Sequence, residues 1–474
     1  MRQPSLRVRF LIPALVVCGL LPATASTAHE SAEDSPRILL SRRRVRVDRV
    51  VGIELRGLPR RELVQLRLTL ERGDRTTWAS QAFFRADRRG RVDLATTAPV
   101  QGDYRGVDPM GLLWSAQLQP QAAHPQLKDW TDQVHLSALV DGREVASANL
   151  ERSYLRAGTR VTSVRDRGLV GTLFEPPGHR RRPALIVVGG SEGGIAYAQV
   201  QAAMFASHGY DVLALAYFDP TGSLGGGLPR ELSLIPLEYF GTAIDWLGHQ
   251  PTVDADRIGI VGTSKGAELA LLLGSRYPQL KAVAAYAPSS VAWAGIGTSG
   301  DVAPFFTSSW SEHGRPVPFL PYHFGPASFY QVYRQALDDP AAAAAAIPVE
   351  RINGPVLLIS GNDDQLWPSS YMADQVIVRL RAHSHAYPDR HLAYNGAGHG
   401  IGFPYEPTTQ LAVGAISFGG NPADIARADR DHWPRLLQFL ADTLERECGS
   451  SVDTRARLAA VLEPVSRNHR LRCR

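Results

Sequence analysis

Lysine is nearly absent from this chain. Of its 51 basic side chains only Lys128, Lys265 and Lys281 are lysines, the rest being arginine. Those arginines do not gather with aromatic residues into the face that nucleic acid binding needs, and Arg42-Arg43-Arg44 reads as a solvated strand edge. Cysteine is scarce too, with three residues and no neighbouring ligand set, which argues against a metal centre. The apolar stretch Phe10 to Leu21 is about 12 residues, short of the roughly 20 that a spanning helix requires. No G-K-[ST] follows any glycine-rich turn, so a phosphate-cradling loop is not expected. No cofactor is expected either. With 44% hydrophobic and 20% charged residues over 474 positions, the composition is that of a globular protein large enough for two domains.

The N-terminus has its own pattern. Arg2, Arg7 and Arg9 precede the apolar run, and Ala23-Thr24-Ala25 and Ser26-Thr27-Ala28 follow as small-residue cleavage sites. This is the layout of a secretory signal over residues 1–28; an uncleaved anchor is the rival reading. Cys18, preceded by Val17, fits a lipoprotein signal poorly. Cleavage removes three arginines and no acids, lowering the net charge from +5 to about +2. An exported, periplasmic or secreted protein with no remaining membrane span is the expectation, and a cytoplasmic one if the segment is not a signal. Cys448 and Cys473, in the tail 448–474, then become candidates for a disulfide.

Residues 37–155 read as strands. Val64, Leu66, Leu68 and Leu70 share one face at period two. Turn signals such as Arg56-Gly57-Leu58-Pro59, Asp87-Arg88-Arg89-Gly90 and Asp141-Gly142 separate short apolar runs, a pattern that predicts an all-β sandwich. From residue 160 to 447 the pattern changes. Strands at Ala184 to Val188, Asp211 to Ala216, Ile258 to Val261, Ala282 to Ala287, Val356 to Ser360 and Leu392 to Tyr394 alternate with helices at Tyr197 to His208, Leu237 to Leu247, Lys265 to Arg276, Ser369 to Arg381 and His432 to Glu445. Such alternation predicts a mostly parallel sheet with both faces covered. The interval 292–352 carries no strand signal and many aromatic residues, consistent with a lid over an apolar substrate or with an excursion packed on the sheet.

Gly262-Thr263-Ser264-Lys265-Gly266 joins the strand ending at Val261 to a helix. A strand, a G-x-S-x-G turn and a helix form a nucleophile elbow, in which glycines two positions either side of the serine keep Cβ atoms out of a tight turn. A serine hydroxyl needs a base, and the base needs an orienting group. Asp364, after the strand at Val356 to Ser360, is preferred over Asp363 as the acid. His399, within Gly396-Ala397-Gly398-His399-Gly400, is the expected base, and His385 and His391 read as structural or exposed. The chain order Ser, Asp, His is that of α/β-hydrolases. Backbone donors for the oxyanion are expected at Lys265 and at Ser191 or Glu192, in the loop Gly189-Gly190-Ser191-Glu192-Gly193-Gly194.

With those residues placed, the chain resembles the acyl-CoA thioesterase / bile acid-CoA:amino acid N-acyltransferase family from about residue 40 to 445. The resemblance rests on Gly57-Leu58-Pro59, on Tyr104 through Trp114 with its segment Asp108-Pro109-Met110-Gly111-Leu112-Leu113-Trp114, on the Gly189 to Gly194 loop, on Ser264 through Leu269, on Gly361 through Trp367 and on Gly398-His399. It implies an immunoglobulin-like domain ahead of an α/β-hydrolase domain, with a triad carried onto Ser264, Asp364 and His399. It also implies a small-molecule acyl thioester substrate, acyl-CoA in the family. Members that transfer acyl groups to amino acids use cysteine as nucleophile, so Ser264 favours hydrolysis. An exported location sits awkwardly with coenzyme A thioesters, which leaves another ester or thioester open. A non-catalytic binding protein and an acyltransferase are the competing classes.

Overall fold

The computed structural model describes residues 35–120, 130–325 and 327–445. The signal-like segment, Lys128, Cys448 and Cys473 lie outside the described residues.

The N-terminal part is β-rich and holds two sheets. Arg37–Leu40, Ile53–Arg56 and Val92–Asp93 make the smaller one. In the larger, Leu63–Glu71 lies between Thr77–Arg85 and Thr131–Val140, and Arg143–Ser153 follows. Val64, Leu66, Leu68 and Leu70 are all buried, because strict alternation puts one face of the strand on the core. Arg44–Arg46 pairs only with Arg143–Ser153 and is therefore an edge, with Arg42, Arg43 and Arg44 exposed.

The C-terminal part is built on eight strands: β1 (Arg160–Val164), β2 (Val170–Glu175), β3 (Arg182–Val188), β4 (Asp211–Ala216), β5 (Val253–Thr263), β6 (Leu280–Tyr286), β7 (Val356–Gly361) and β8 (Arg390–Tyr394). Their order across the sheet is β1-β2-β4-β3-β5-β6-β7-β8. The first two pairings, β1–β2 and β2–β4, are antiparallel and the other five are parallel. This strand order, with helices on both faces, is the α/β-hydrolase fold. The sheet is mixed because the β1–β2 hairpin is added at one edge.

Both faces are covered. Ile186, Leu213, Leu215 and Leu358 point into the core shared with α2 (Leu237–Gly248), α3 (Lys265–Gly274) and α4 (Ser369–Ala382). Leu185, Val187, Val212 and Ile359 point the other way, onto α1 (Ala196–Ser207) and α5 (Pro422–Leu444). α5 begins ten residues before the helix expected from His432. Asn421 caps it by accepting from the Asp424 amide, and Pro422 occupies the first turn, where its missing N–H costs nothing. Pro434, which lies inside the helix, hides its true length in the sequence.

The interval 292–352 is not free of strands. Trp310–Glu312 pairs with Ile235–Pro236 and with Arg315–Pro316, and two short helices follow at Phe329–Ala336 and Ala341–Ala345. These strands are too short to leave a periodic signal. Trp293 and Trp310 are fully buried, whereas Phe306 and Phe324 are 75% and 60% exposed.

Candidate active site

The elbow is strained as its sequence requires. Ser264 has φ 58° and ψ −120°, a region that costs a residue with a Cβ on the order of 1–3 kcal/mol. The glycines explain why the turn can form. A Cβ on Gly262 would overlap the Gly266 carbonyl, and one on Gly266 would overlap the Gly189 carbonyl at the end of β3. The turn is pinned by the Ser264 amide donating to the Tyr286 carbonyl at 2.9 Å. Ser264 is buried, with 8% of its surface exposed.

Asp364 and His399 are brought together. His399 Nδ1 lies 2.8 Å from Asp364 Oδ2. A carboxylate only accepts, so Nδ1 carries the proton and the lone pair is left on Nε2, for which the described residues show no partner. Asp364 is itself held. Its Oδ1 accepts from the Leu366 and Trp367 amides at 2.9 and 3.2 Å, and its Oδ2 accepts from the Ser369 hydroxyl at 2.6 Å. Asp363 faces elsewhere and accepts from the Gly420 amide. The imidazole lies between Trp367, edge-on at 5.9 Å, and Phe418, stacked at 6.2 Å. Its backbone amide donates to the Phe418 carbonyl at 2.8 Å. No hydrogen bond joins Ser264 to His399 among the described residues. Glu192 and Ser264 stand on either side of Gly190, and His399 is near enough to the Glu192 carboxylate to act on it by charge.

The loop after β3 has a defined orientation. The Tyr217 hydroxyl donates to the Gly189 and Gly190 carbonyls at 2.8 and 3.2 Å. A trans peptide points its N–H opposite its carbonyl, so the Ser191 amide faces away from Tyr217. That amide has no acceptor among the described residues, and neither does the Lys265 amide. The Gly190 amide is taken by Glu192 Oε1 at 2.9 Å. Of the two loop residues expected to donate, Ser191 has an N–H without an acceptor among the described residues, whereas the Glu192 carboxylate lies on its own loop. Burial raises the Glu192 pKa above the ordinary carboxylate value.

The Lys265 side chain plays a separate part. Its Nζ lies 2.7 Å from Glu268 Oε2, with both residues buried. Glu268 Oε1 also accepts from the Trp293 amide at 3.0 Å and the Trp310 indole at 2.7 Å. Burial pushes the lysine pKa down and the glutamate pKa up. The pair fastens the first turn of α3 to the aromatic interval. A glutamate in the otherwise apolar run Ala267 to Leu273 was the sequence signal for it.

Sequence reasoning also missed the frame of the His399 loop. The Gly402 amide donates to buried Asp429 at 2.7 Å, and its carbonyl accepts from His432 Nε2 at 2.7 Å. Farther along, Arg152 donates to the Tyr405 carbonyl and to Glu406, and Thr408 donates to the Trp114 carbonyl. His391 and His385 serve elsewhere, the first on Ser360 and Asp374, the second on Asp389. Among the described residues no group of three His, Cys, Asp or Glu side chains could hold a metal ion. No helix among them is long and apolar enough to cross a membrane.

Comparison with known proteins gives two family matches. Residues 48–166 match the acyl-CoA thioester hydrolase/BAAT N-terminal region, and residues 235–446 match the BAAT / acyl-CoA thioester hydrolase C terminal. The chain is 32% identical to acyl-coenzyme A thioesterase 1 of Mus musculus, over 85% of this chain and 95% of that one. It is 29% identical to the bile acid-CoA:amino acid N-acyltransferase of Mus musculus, covering 86% and 97%. It is 30% identical to the peroxisomal succinyl-coenzyme A thioesterase of Mus musculus, covering 84% and 94%. A solved esterase of Pyrobaculum calidifontis aligns over 60% of this chain and 86% of its own, at 15% identity and a TM-score of 0.39. With both family regions matched in order and relatives of this similarity spanning the C-terminal and β-rich parts alike, the chain belongs to the acyl-CoA thioester hydrolase/BAAT family.

Proposed function

We propose that the protein hydrolyses acyl thioesters of the acyl-CoA class through a Ser264-His399-Asp364 triad. His399 Nε2 takes the Ser264 proton as Oγ attacks the thioester carbonyl. Asp364 fixes the tautomer and stabilises the imidazolium. The oxyanion is received by the Lys265 and Ser191 amides, His399 protonates the departing thiolate, and water then cleaves the acyl-enzyme by the same route. The observation that carries this reading is the 2.8 Å Asp364–His399 bond. It supports the reading because a proton held on Nδ1 leaves the Nε2 lone pair available to Ser264. Ser264→Ala should abolish turnover of a medium-chain acyl-CoA and of a p-nitrophenyl ester, together with labelling by a fluorophosphonate. Turnover that survives the substitution removes the triad assignment.

The two-sheet N-terminal part is read here as an immunoglobulin-like sandwich that shapes the entrance, and the aromatic interval 292–352 as its lid. The signal-like N-terminus supports export, where an ester or thioester other than acyl-CoA would be the natural substrate. Fractionation of the host cell, with the mature N-terminus read by mass spectrometry, tests that location. Acyl transfer is the second reading, favoured by the bile acid-CoA:amino acid N-acyltransferase relative. Product analysis with glycine or taurine present separates an amide product from a free acid.

A further inference from the structure

Glu192 turns its side chain back over the loop that follows β3. Its Oε1 accepts the Gly190 amide at 2.9 Å. Its Oε2 stands 2.8 Å from the point where a Gly190 Cβ would sit, and the same point is 3.1 Å from the Ser264 Cβ. The carboxylate and the nucleophile therefore flank one glycine. His399 is near enough to interact with this carboxylate by charge, and no lysine or arginine among the described residues does so. The remaining titratable neighbours are the Tyr197 and Tyr217 hydroxyls, which bring no positive charge. The Glu192 residue as a whole is exposed, while its carboxyl group is packed against its own loop, which is why burial raises its pKa.

This placement matters for which acyl group can react. The tetrahedral intermediate puts one negative charge at Ser264, and the Glu192 carboxylate, with no lysine or arginine acting on it among the described residues, stands on the neighbouring loop. A substrate with its own carboxylate two or three bonds from the reacting carbonyl would add a third. At separations of about 6–8 Å and an effective dielectric near 20, one such like-charge pair changes binding roughly 10- to 100-fold. A longer acyl chain carries any distal charge out of range or into water, where screening removes the penalty.

The geometry points to Glu192 as a specificity-determining residue that excludes short acyl groups bearing a carboxylate, malonyl or succinyl for example, and leaves neutral acyl chains as the substrate class. The inference rests on the Ser264 reading above. Glu192 does two things in this arrangement: its Gly190 bond shapes the oxyanion loop, and its charge filters the acyl group.

Butyryl and succinyl thioesters of N-acetylcysteamine share chain length and an uncharged leaving group, so their ratio of kcat/KM reads the terminal carboxylate alone. The full chain at pH 8 is expected to prefer butyryl by more than about 30-fold. Glu192→Gln, whose Oε1 still accepts the Gly190 amide, should shrink that preference about tenfold. Glu192→Ala should shrink it as well while slowing both substrates, because the Gly190 bond is lost. An unchanged preference in Glu192→Gln, with butyryl still turned over, overturns the inference. A protein inert to both thioesters yet labelled by a fluorophosphonate overturns this inference alone, one inert to both and unlabelled overturns the Ser264 reading with it, and a preference that collapses only in the Glu192 variants supports both.

Discussion

Arg430 of α5 reaches across to Asp108 of the β-rich part, Nη1 to Oδ2 at 2.7 Å. The same carboxylate accepts from the Trp114 indole at 3.0 Å and, through Oδ1, from the Met110 amide at 2.9 Å. The Trp114 carbonyl in turn accepts from the Thr408 amide and hydroxyl. The segment Asp108 to Trp114 therefore grips both α5 and the stretch that follows His399. Asp108→Ala should destabilise the protein by about 1–3 kcal/mol, since the buried indole N–H loses its acceptor. Because the grip lies on the base-bearing loop, kcat should fall about tenfold with KM little changed, as expected when only transition-state positioning is lost. Denaturant melts and steady-state kinetics check both. Normal kcat in a destabilised variant would show that the grip serves folding alone.

Asp364 provides a sharper test of tautomer control. Asp364→Asn keeps the volume but offers Nδ1 an amide that can donate as well as accept, so the imidazole is no longer held with its lone pair on Nε2. The expected loss in kcat is on the order of 10³–10⁴-fold, with thermal stability lowered far less. Asp363→Asn, which alters a carboxylate that faces Gly420 rather than His399, should leave kcat within about twofold. Comparable losses in the two variants would sink the assignment of Asp364.

Much of this was legible in the sequence because the features are local. A strand running into G-x-S-x-G, an acid after a late strand and a histidine among glycines are contiguous motifs whose order follows that of the parallel strands. Period-two burial in Leu63–Glu71 is equally local. What could not be read are contacts between distant segments. Arg430 and Asp108 are separated by 322 positions, and nothing in either neighbourhood announces the other. The start of α5 at Pro422 was hidden by Pro434 inside the helix. The short strand at Trp310–Glu312 was hidden because three residues carry no periodicity. The sequence leaves Ser191 and Glu192 open as the loop donor, and the seizure of the Gly190 amide by Glu192 depends on a side-chain rotamer that no motif encodes.

Glu268 offers a prediction about the buried pair beneath the elbow. Replacing it by alanine would leave the Lys265 ammonium buried without its partner, and the Trp310 indole and Trp293 amide without an acceptor. Breaking a buried ion pair on one side costs about 3–5 kcal/mol, so Glu268→Ala should fold poorly or melt far below the parent. Lys265→Met with Glu268→Gln removes both charges while keeping a side-chain oxygen for the two tryptophan donors. That double variant should recover most of the stability, about 2 kcal/mol or more over Glu268→Ala. The comparison is read by urea melts monitored by tryptophan fluorescence. Equal midpoints for the two variants would mean that charge burial is not what the pair manages.

His432 sets the acid limit of stability. It is fully buried in α5, donates from Nε2 to the Gly402 carbonyl, and meets the Tyr286 hydroxyl through Nδ1 at 3.4 Å. Burial lowers its pKa to about 4, against 6.5 for the ordinary side chain. Protonation therefore favours the unfolded chain. The stability contributed by the neutral ring is present above pH 6.5 and lost as the pH falls toward 4, an effect of roughly 3 kcal/mol over the window. Asp429, which holds the other side of Gly402, has the opposite sign. Burial pushes its pKa well up, so its contribution is present at low pH and lost as the pH rises through its folded value. The two groups bracket the residue three positions past His399, and the acid-side loss should loosen the base before the fold. The melting temperature of the parent should fall more steeply between pH 6.5 and 4 than that of His432→Asn, which carries no titrating ring. Parallel curves for the two proteins would remove His432 as the group responsible.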